Sequence, residues 1–344
     1  MGLGLGISVD WASLVPYYAK VASAFAARVK ADGGTVENTA CLKKDLKALN
    51  PTPPTGYLLT DYPGAAAAYS LRLINKTYAS SAIRVRRGAD NAEQNIGFAS
   101  KQLDTEALES FAGSGDAFVT TWYDQSGNGV NATQTNAAQQ PKIVSSGSTI
   151  LDNGKAAVQF DGTNDRLFGT DNGSLDNIRL GEFTYISVVK NTLTSGGKWN
   201  AIFTPSTSNA STTGGRGALA MQLFSSEKKL SFHNTWASAY RLAAIDITSI
   251  FNNQLLVFQT RDDVGNNGNG SGVTNSVNTL TASDTQSWTS FAGSQYCIGS
   301  QSPTETSSVE DWKGFIQEIV IYPTDQTSDK TPITTNINDF YSIY

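Results

Sequence analysis

Charge, histidine and cysteine are all scarce in this chain. Of 344 residues 16% are charged, one is histidine and two are cysteine. A structural zinc cluster therefore has no ligand set. A nucleophile–histidine–acid triad would depend wholly on His233. That residue lies in the strand-like run Leu230–Asn234, and no serine in the chain has a nucleophile-elbow sequence around it. It reads as a structural or ligand-contacting residue. Cys41 and Cys297 fall in differently patterned parts of the chain, so two free thiols are expected. The net charge is −5. No basic stripe is present, which argues against a nucleic-acid partner. No apolar run is long enough to span a bilayer, so membrane insertion is not expected. The opening Met1–Asp10 lacks a basic segment and a full apolar segment, so a secretion signal is not expected.

What the chain does have is Ser, Thr, Asn and Gly, a composition common in all-β extracellular or virion proteins. The first stretch differs. Val15, Tyr18, Val21, Ala22, Phe25 and Val29 recur at steps of three and four, which predicts a helix over 11–31. Pro16 suits its first turn and Gly33-Gly34 its end. A second helix is predicted over 35–49. The prolines of 50–56 then favour an extended linker. The predicted organisation is a helical attachment region over 1–50, a Pro-rich linker over 51–62, and one β domain over 63–344.

In that domain ten β-type runs alternate with polar loops: Ile83–Arg87, Phe118–Tyr123, Ala156–Phe160, Phe183–Lys190, Ala201–Thr204, Ala218–Phe224, Lys229–His233, Leu255–Arg261, Tyr296–Gly299 and Gly314–Tyr322. Many short strands of this kind predict a mainly β fold, an antiparallel β-sandwich or jelly roll. In the last run Phe315, Gln317, Ile319 and Ile321 share one face, and Ile316, Glu318, Val320 and Tyr322 the other. Both faces are largely apolar, which predicts a central strand. Short helices are predicted over Asp104–Phe111 and at the C-terminus, where Ile333, Ile337, Phe340 and Tyr341 would pack. Gly265–Gly272 reads as a loop tip. Trp122-Tyr123, at the end of a strand, should pack inside the sandwich. Asp124–Gly129 should form the loop that closes it.

Three constellations have chemical alternatives. Asp124, Ser126 and Asn128 alternate oxygens in a glycine-bearing loop, which is a weak calcium pattern beside the simpler one of a self-bonded loop. Arg84, Arg86, Arg87 and Asp90 read as a solvated strand face with one ion pair. Trp199, Trp236, Trp288 and Trp312 lie in or near Asn/Ser-rich segments. They are candidate glycan-contacting aromatics, although burial is the usual fate of tryptophan. No other cofactor is expected.

The ordered series Ala68–Arg72, Ile83–Asp90, Ile96–Phe98, Val119–Gln134, Gln140-Pro141 and Phe160–Gly162 resembles the catalytic domain of family 54 α-L-arabinofuranosidases. More loosely, it resembles concanavalin A/laminin G-like jelly rolls. The whole chain is similar to phage virion proteins that carry such a domain behind a short helical start. The ending Asn336–Tyr344 resembles endings of such proteins in phages of Bacteroidetes. The resemblance implies a concanavalin A-like sandwich and, in the enzymes, two catalytic carboxylates. It places Gln222 where the enzymes carry the nucleophile and Gln301 where they carry the acid/base. An amide has no ionisable oxygen for either role. Glu227, Glu305, Glu310 and Asp311 lie close enough in sequence to serve instead. The enzymes' cysteine pairs are absent. The reading that follows is a virion protein with a non-catalytic, lectin-like domain for decoration or adhesion. Gln222, Gln301, His233 and the four tryptophans are its candidate glycan contacts. Its expected partners are other virion proteins, host-surface polysaccharide and further copies of itself. Assembly would be in the host cytoplasm, with release by lysis. The alternatives are an active hydrolase acting as a virion depolymerase and a purely architectural capsid or tail component.

Overall fold

β-Branched and aromatic runs with polar ends favour short antiparallel strands. Each of the ten predicted runs carries strand in the structure, a computed structural model. It describes residues 56–176, 181–193, 199–205, 218–224, 227–233, 241–262, 272–284, 295–300 and 311–344. The predicted N-terminal helices, Cys41 and residues 265–271 lie outside that set. Further strands include Ala67–Ser70, Glu93–Ile96, Lys142–Ser145, Leu167–Thr170, Arg241–Asp246 and the hairpin Gly272–Val277/Leu280–Asp284. These were too short or too polar for alternation to reveal.

The strands pair antiparallel into two layers. One runs Leu280–Asp284, Gly272–Val277, Leu255–Asp262, Phe183–Asn191 and Lys313–Tyr322. Ala67–Ser70 and Val158–Asp161 share the far side of that last strand, which is central as predicted. The other layer runs Glu93–Ile96, Ile83–Arg87, Ala117–Trp122, Ala132–Thr133, Leu167–Thr170 and Gln295–Ile298. It continues through Trp199–Thr204, Ala218–Phe224, Glu227–His233 and Arg241–Asp246. Between the layers Tyr69 and Tyr185 meet Trp122, Tyr296 and Phe203, with ring centroids 5.9 to 6.2 Å apart. The Tyr69 and Tyr296 hydroxyls both donate to the Val130 carbonyl. Trp122 is thus buried as predicted, but Tyr123 is not. It sits half-exposed at the rim, where its hydroxyl donates to Asn95 Oδ1 at 2.9 Å.

The two faces of Lys313–Tyr322 are not the ones that simple alternation assigns. Val188 pairs with Glu318 but Val189 with Ile316, so a bulge falls at Gln317. The extra residue shifts the alternation. Ile316 joins Ile319 and Ile321 in the inner core, while Val320 and Tyr322 belong to the outer cluster. Ile333, Ile337 and Tyr341 of the C-terminal helix Lys330–Tyr341 cover that outer face. Leu58 and Leu59 join them. They come from a short helix, Leu58–Asp61, where an extended linker was predicted. The apolar pair explains the difference, since it is buried against the sheet. Beneath the C-terminal helix, Arg72 Nε lies 2.7 Å from Glu318 Oε2 and Arg72 Nη2 lies 2.9 Å from Oε1. Ser70 Oγ also donates to Glu318, at 2.8 Å, and Arg72 Nη1 donates to Asn336.

Candidate carbohydrate site

The loop after Trp122 spends its polar atoms on its own domain. Asp124 Oδ1 accepts from the Ala68 and Ser126 amides at 2.8 and 2.9 Å. Its Oδ2 accepts from Ser126 Oγ and the Val130 amide at 2.6 and 3.1 Å. Gln125, fully buried, donates to the Ser70 and Arg72 carbonyls and accepts from the Ile74 amide. Asn128 Nδ2 donates to the Ala65 and Ala66 carbonyls. The motif therefore stitches the strand Ala67–Ser70 to the sandwich. The weak calcium reading of Asp124, Ser126 and Asn128 gives way to the self-bonded loop, because both Asp124 oxygens already accept two hydrogen bonds each. Among the described residues no group of three or more His, Cys, Asp or Glu side chains could hold a metal ion. The arginine strand also binds its neighbours. Arg87 pairs with Asp90 at 2.7 Å, Arg84 with Glu93 at 2.6 Å, and Arg86 donates to Gln140.

Two of the candidate glycan contacts, Trp199 and Gln222, begin a row on the second layer. Trp199 pairs with Gln222, Gln222 with Lys229, and Lys229 with Asp246. This makes one cross-strand row of aromatic, amide, ammonium and carboxylate residues over four strands, about 14 Å wide at the usual strand spacing. Antiparallel partners are the closest neighbours a sheet provides. On the other side of Trp199–Thr204 runs Gln295–Ile298. Its continuation Gly299 donates its amide to the Ile202 carbonyl at 2.9 Å and carries the chain toward Gln301. Gly299 has φ +83°, and a Cβ there would lie 2.3 Å from the Phe160 ring, so only glycine fits. The position of Gln222 and the segment leading to Gln301 thus flank one strand.

Of the other candidates, His233 and Trp312 do not join this row. His233 pairs with Ala218 and Arg241, four register steps from Gln222, or about 13 Å along the strand. Trp312 is fully buried, and its amide donates to the Gly299 carbonyl, so it is no stacking platform for a sugar. Asp311 beside it is buried too. Cys297 is a free buried thiol, its pKa pushed up to about 12 by burial. Trp236, Trp288, Gln301, Glu305 and Glu310 lie outside the described residues.

Sequence reading missed Asp165. It closes the turn Asp161–Asp165, where Asp161 Oδ1 accepts from the Thr163 amide and Asp165 Oδ2 accepts from the Asp161 amide. Burial first, then the Asp161 carboxylate, raises its pKa from 3.8 to about 7. The clue available in the sequence was a pair of aspartates four apart around Gly162. A carboxyl whose pKa rises on folding stabilises the fold in its protonated form. That contribution is complete below the unfolded value and is lost as pH rises through about 7. Asp165→Asn should match the parent below about pH 4 and exceed it above about pH 8, by on the order of a few kcal/mol. Urea unfolding of both proteins across that range is the measurement. Parallel curves would show that Asp165 does not titrate this way.

The family model for the catalytic domain of α-L-arabinofuranosidase B matches residues 55–185. Among solved structures, the chain is similar to an arabinofuranosidase complexed with arabinofuranosyl-α-1,2-xylobiose, at 14% identity and a TM-score of 0.57. It is also similar to a glutamate-to-glutamine variant of a family 54 α-L-arabinofuranosidase soaked with 4-nitrophenyl α-L-arabinofuranoside, at 14% identity and a TM-score of 0.53. Each likeness covers 81% of this chain and 64% of the other. The chain thus spans less than two thirds of those proteins. Comparison with curated proteins returns no match. The β-sandwich fold is the one these arabinofuranosidases share. The family match ends before Trp199, Gln222 and Lys229.

Proposed function

We propose that this chain is a carbohydrate-recognising protein on an arabinofuranosidase-like sandwich, without hydrolase activity, displayed on a phage particle for decoration or adhesion to host-surface glycans. One observation carries the binding part. Trp199, Gln222, Lys229 and Asp246 form a single cross-strand row, with an amide at the position that the resemblance assigns to the nucleophile. An aromatic ring suits the C–H face of a sugar, and amide, ammonium and carboxylate groups suit its hydroxyls. An amide there cannot form a glycosyl–enzyme bond. The phage setting is supported by the ordered motif series, the helical start expected over 1–50 and the surface-type composition. In that setting the partners are other virion proteins and further copies of this chain.

The purified chain should release no nitrophenol from 4-nitrophenyl α-L-arabinofuranoside. On a glycan array it should bind, with Trp199→Ala or Lys229→Ala weakening binding about tenfold or more, as loss of one stacking or charged contact does. Turnover that disappears on replacing Glu227, Glu305, Glu310 or Asp311 would instead establish an active hydrolase. Silence on the array together with incorporation into particles would favour an architectural component.

A further inference from the structure

The domain carries a cavity of about 440 Å³, lined by no residue of the row around Gln222. Two tight hairpins wall it, Phe98–Ala99/Gln102–Leu103 and Leu151–Asp152/Lys155–Ala156. Each stands outside the main sheet as its own two-stranded ribbon. Each turns through two left-handed residues, Ser100 and Lys101 in one and Asn153 and Gly154 in the other. Such turns fit the twist of a two-residue hairpin, but three of these four residues are not glycine and carry the strain of positive φ.

The ribbons are also bolted down. Gln317, the bulge residue, donates to the Asp152, Lys155 and Ala156 carbonyls. Asn153 donates to the Tyr341 and Ser342 carbonyls. The Leu73 amide donates to the Lys101 carbonyl. Lys155 Nζ reaches across to Gln102 Oε1 at 3.4 Å and sits 4.3 Å from the Phe340 ring centroid. A cavity whose walls are fixed in advance binds without first having to order them.

We infer that this hairpin-walled cavity is a separate binding site for one neutral sugar residue, independent of the row on the second layer. Leu71 and Leu103 line it with buried apolar surface. Leu151 stands at its edge 54% exposed, the most exposed large apolar side chain among the described residues. With Leu71 and Leu103 each only 4% exposed, the apolar surface open to sugar C–H groups is chiefly that of Leu151, Ala156 and Phe340. Gln102, Asp104, Thr105, Glu106 and Lys155 supply both donors and acceptors for hydroxyls. Asp104 and Glu106 against Lys155 leave the lining with an excess of one negative charge, which disfavours an anionic sugar. The volume falls within the ordinary range for small-ligand sites.

The test is amide NMR on the full chain, titrated with methyl α-L-arabinofuranoside, methyl β-D-glucopyranoside and methyl β-D-glucuronide. Saturable shifts at Gln102, Thr105, Glu106 and Lys155 are expected with at least one neutral glycoside. Thr105→Trp, which fills the cavity while leaving the Asp104 cap of the helix Thr105–Ala112 in place, should abolish them. Lys155→Ala should weaken them about tenfold, and Gln222→Ala should leave them unchanged. No saturable shift at these amides, shifts that survive Thr105→Trp in a folded protein, or binding of the glucuronide alone would each overturn the assignment. Array binding that survives Trp199→Ala and Lys229→Ala, with these shifts intact, would refute only the proposal for that row.

Discussion

Replacing Glu318 with alanine should destabilise the domain by about 3–5 kcal/mol, the cost of stranding one member of a buried ion pair. Glu318 is fully buried, Arg72 nearly so, and the two are joined by hydrogen bonds of 2.7 and 2.9 Å. Burial works against the charge on Arg72, and the Glu318 carboxylate outweighs it, so the guanidinium stays charged with its pKa raised. Removing the carboxylate leaves that cation beneath the C-terminal helix without its counter-charge. At this domain size the melting temperature should fall by roughly 5–8 °C. The double replacement Arg72→Met with Glu318→Leu should recover most of the loss, because the desolvation cost of both charges goes with them. Lys142→Ala at the half-exposed pair with Asp116 should cost no more than about 1 kcal/mol. Thermal and urea unfolding of the four proteins measure this. A Glu318→Ala protein as stable as the Lys142→Ala control would contradict the account.

Asp124→Ala should have an effect of similar size by a different route. It removes the acceptor for two buried amides, Ala68 and Val130, and for both the amide and the hydroxyl of Ser126. A buried amide left without a partner costs about 1–3 kcal/mol, so the two together should cost about 2–6 kcal/mol. The effect should be local as well as global. Hydrogen exchange at Ala68 and Val130 should accelerate before that at the core strand Phe183–Asn191, because Asp124 holds the strand Ala67–Ser70 from its end. Asp124→Asn, which keeps one acceptor oxygen, should lose less. Millimolar calcium or EDTA should leave the melting temperature of the parent unchanged, since both carboxylate oxygens are already engaged. A calcium-dependent rise would return the loop to the class of metal sites.

Much of this was legible in the residues. Strands declared themselves wherever β-branched and aromatic residues ran for five or more positions, as in Phe183–Asn191 and Leu255–Asp262. The helix Thr105–Ala112 declared itself through the spacing of Leu103, Ala107, Leu108 and Phe111, and the structure adds its cap, the Asp104 carboxylate accepting from the Ala107 amide. Two- and four-residue strands such as Ala132–Thr133 did not. They exist because a neighbour offers a hydrogen-bonding edge, and no local pattern records that. The candidate glycan residues were named from type alone, and type does not encode burial. Trp312 and Trp199 looked equivalent, yet one is buried in the core beside Gly299 and the other starts a strand opposite Gln222.

By itself the sequence determined the class of fold, the central place of Lys313–Tyr322, the closing role of Asp124–Gly129 and the likeness of the ordered motifs between Ala68 and Gly162 to arabinofuranosidase catalytic domains. These follow from periodicity, turn chemistry and an ordered set of motifs, all of which are local. Tertiary structure alone decided three other things. It put a bulge at Gln317, which moved Ile316 to the inner core and left Gln317 to anchor a hairpin. It joined Arg72 to Glu318 across 246 residues. It set two small hairpins on either side of a cavity. Each depends on which backbone lies beside which, and that is settled only when distant segments compete for the same edges and the same buried space.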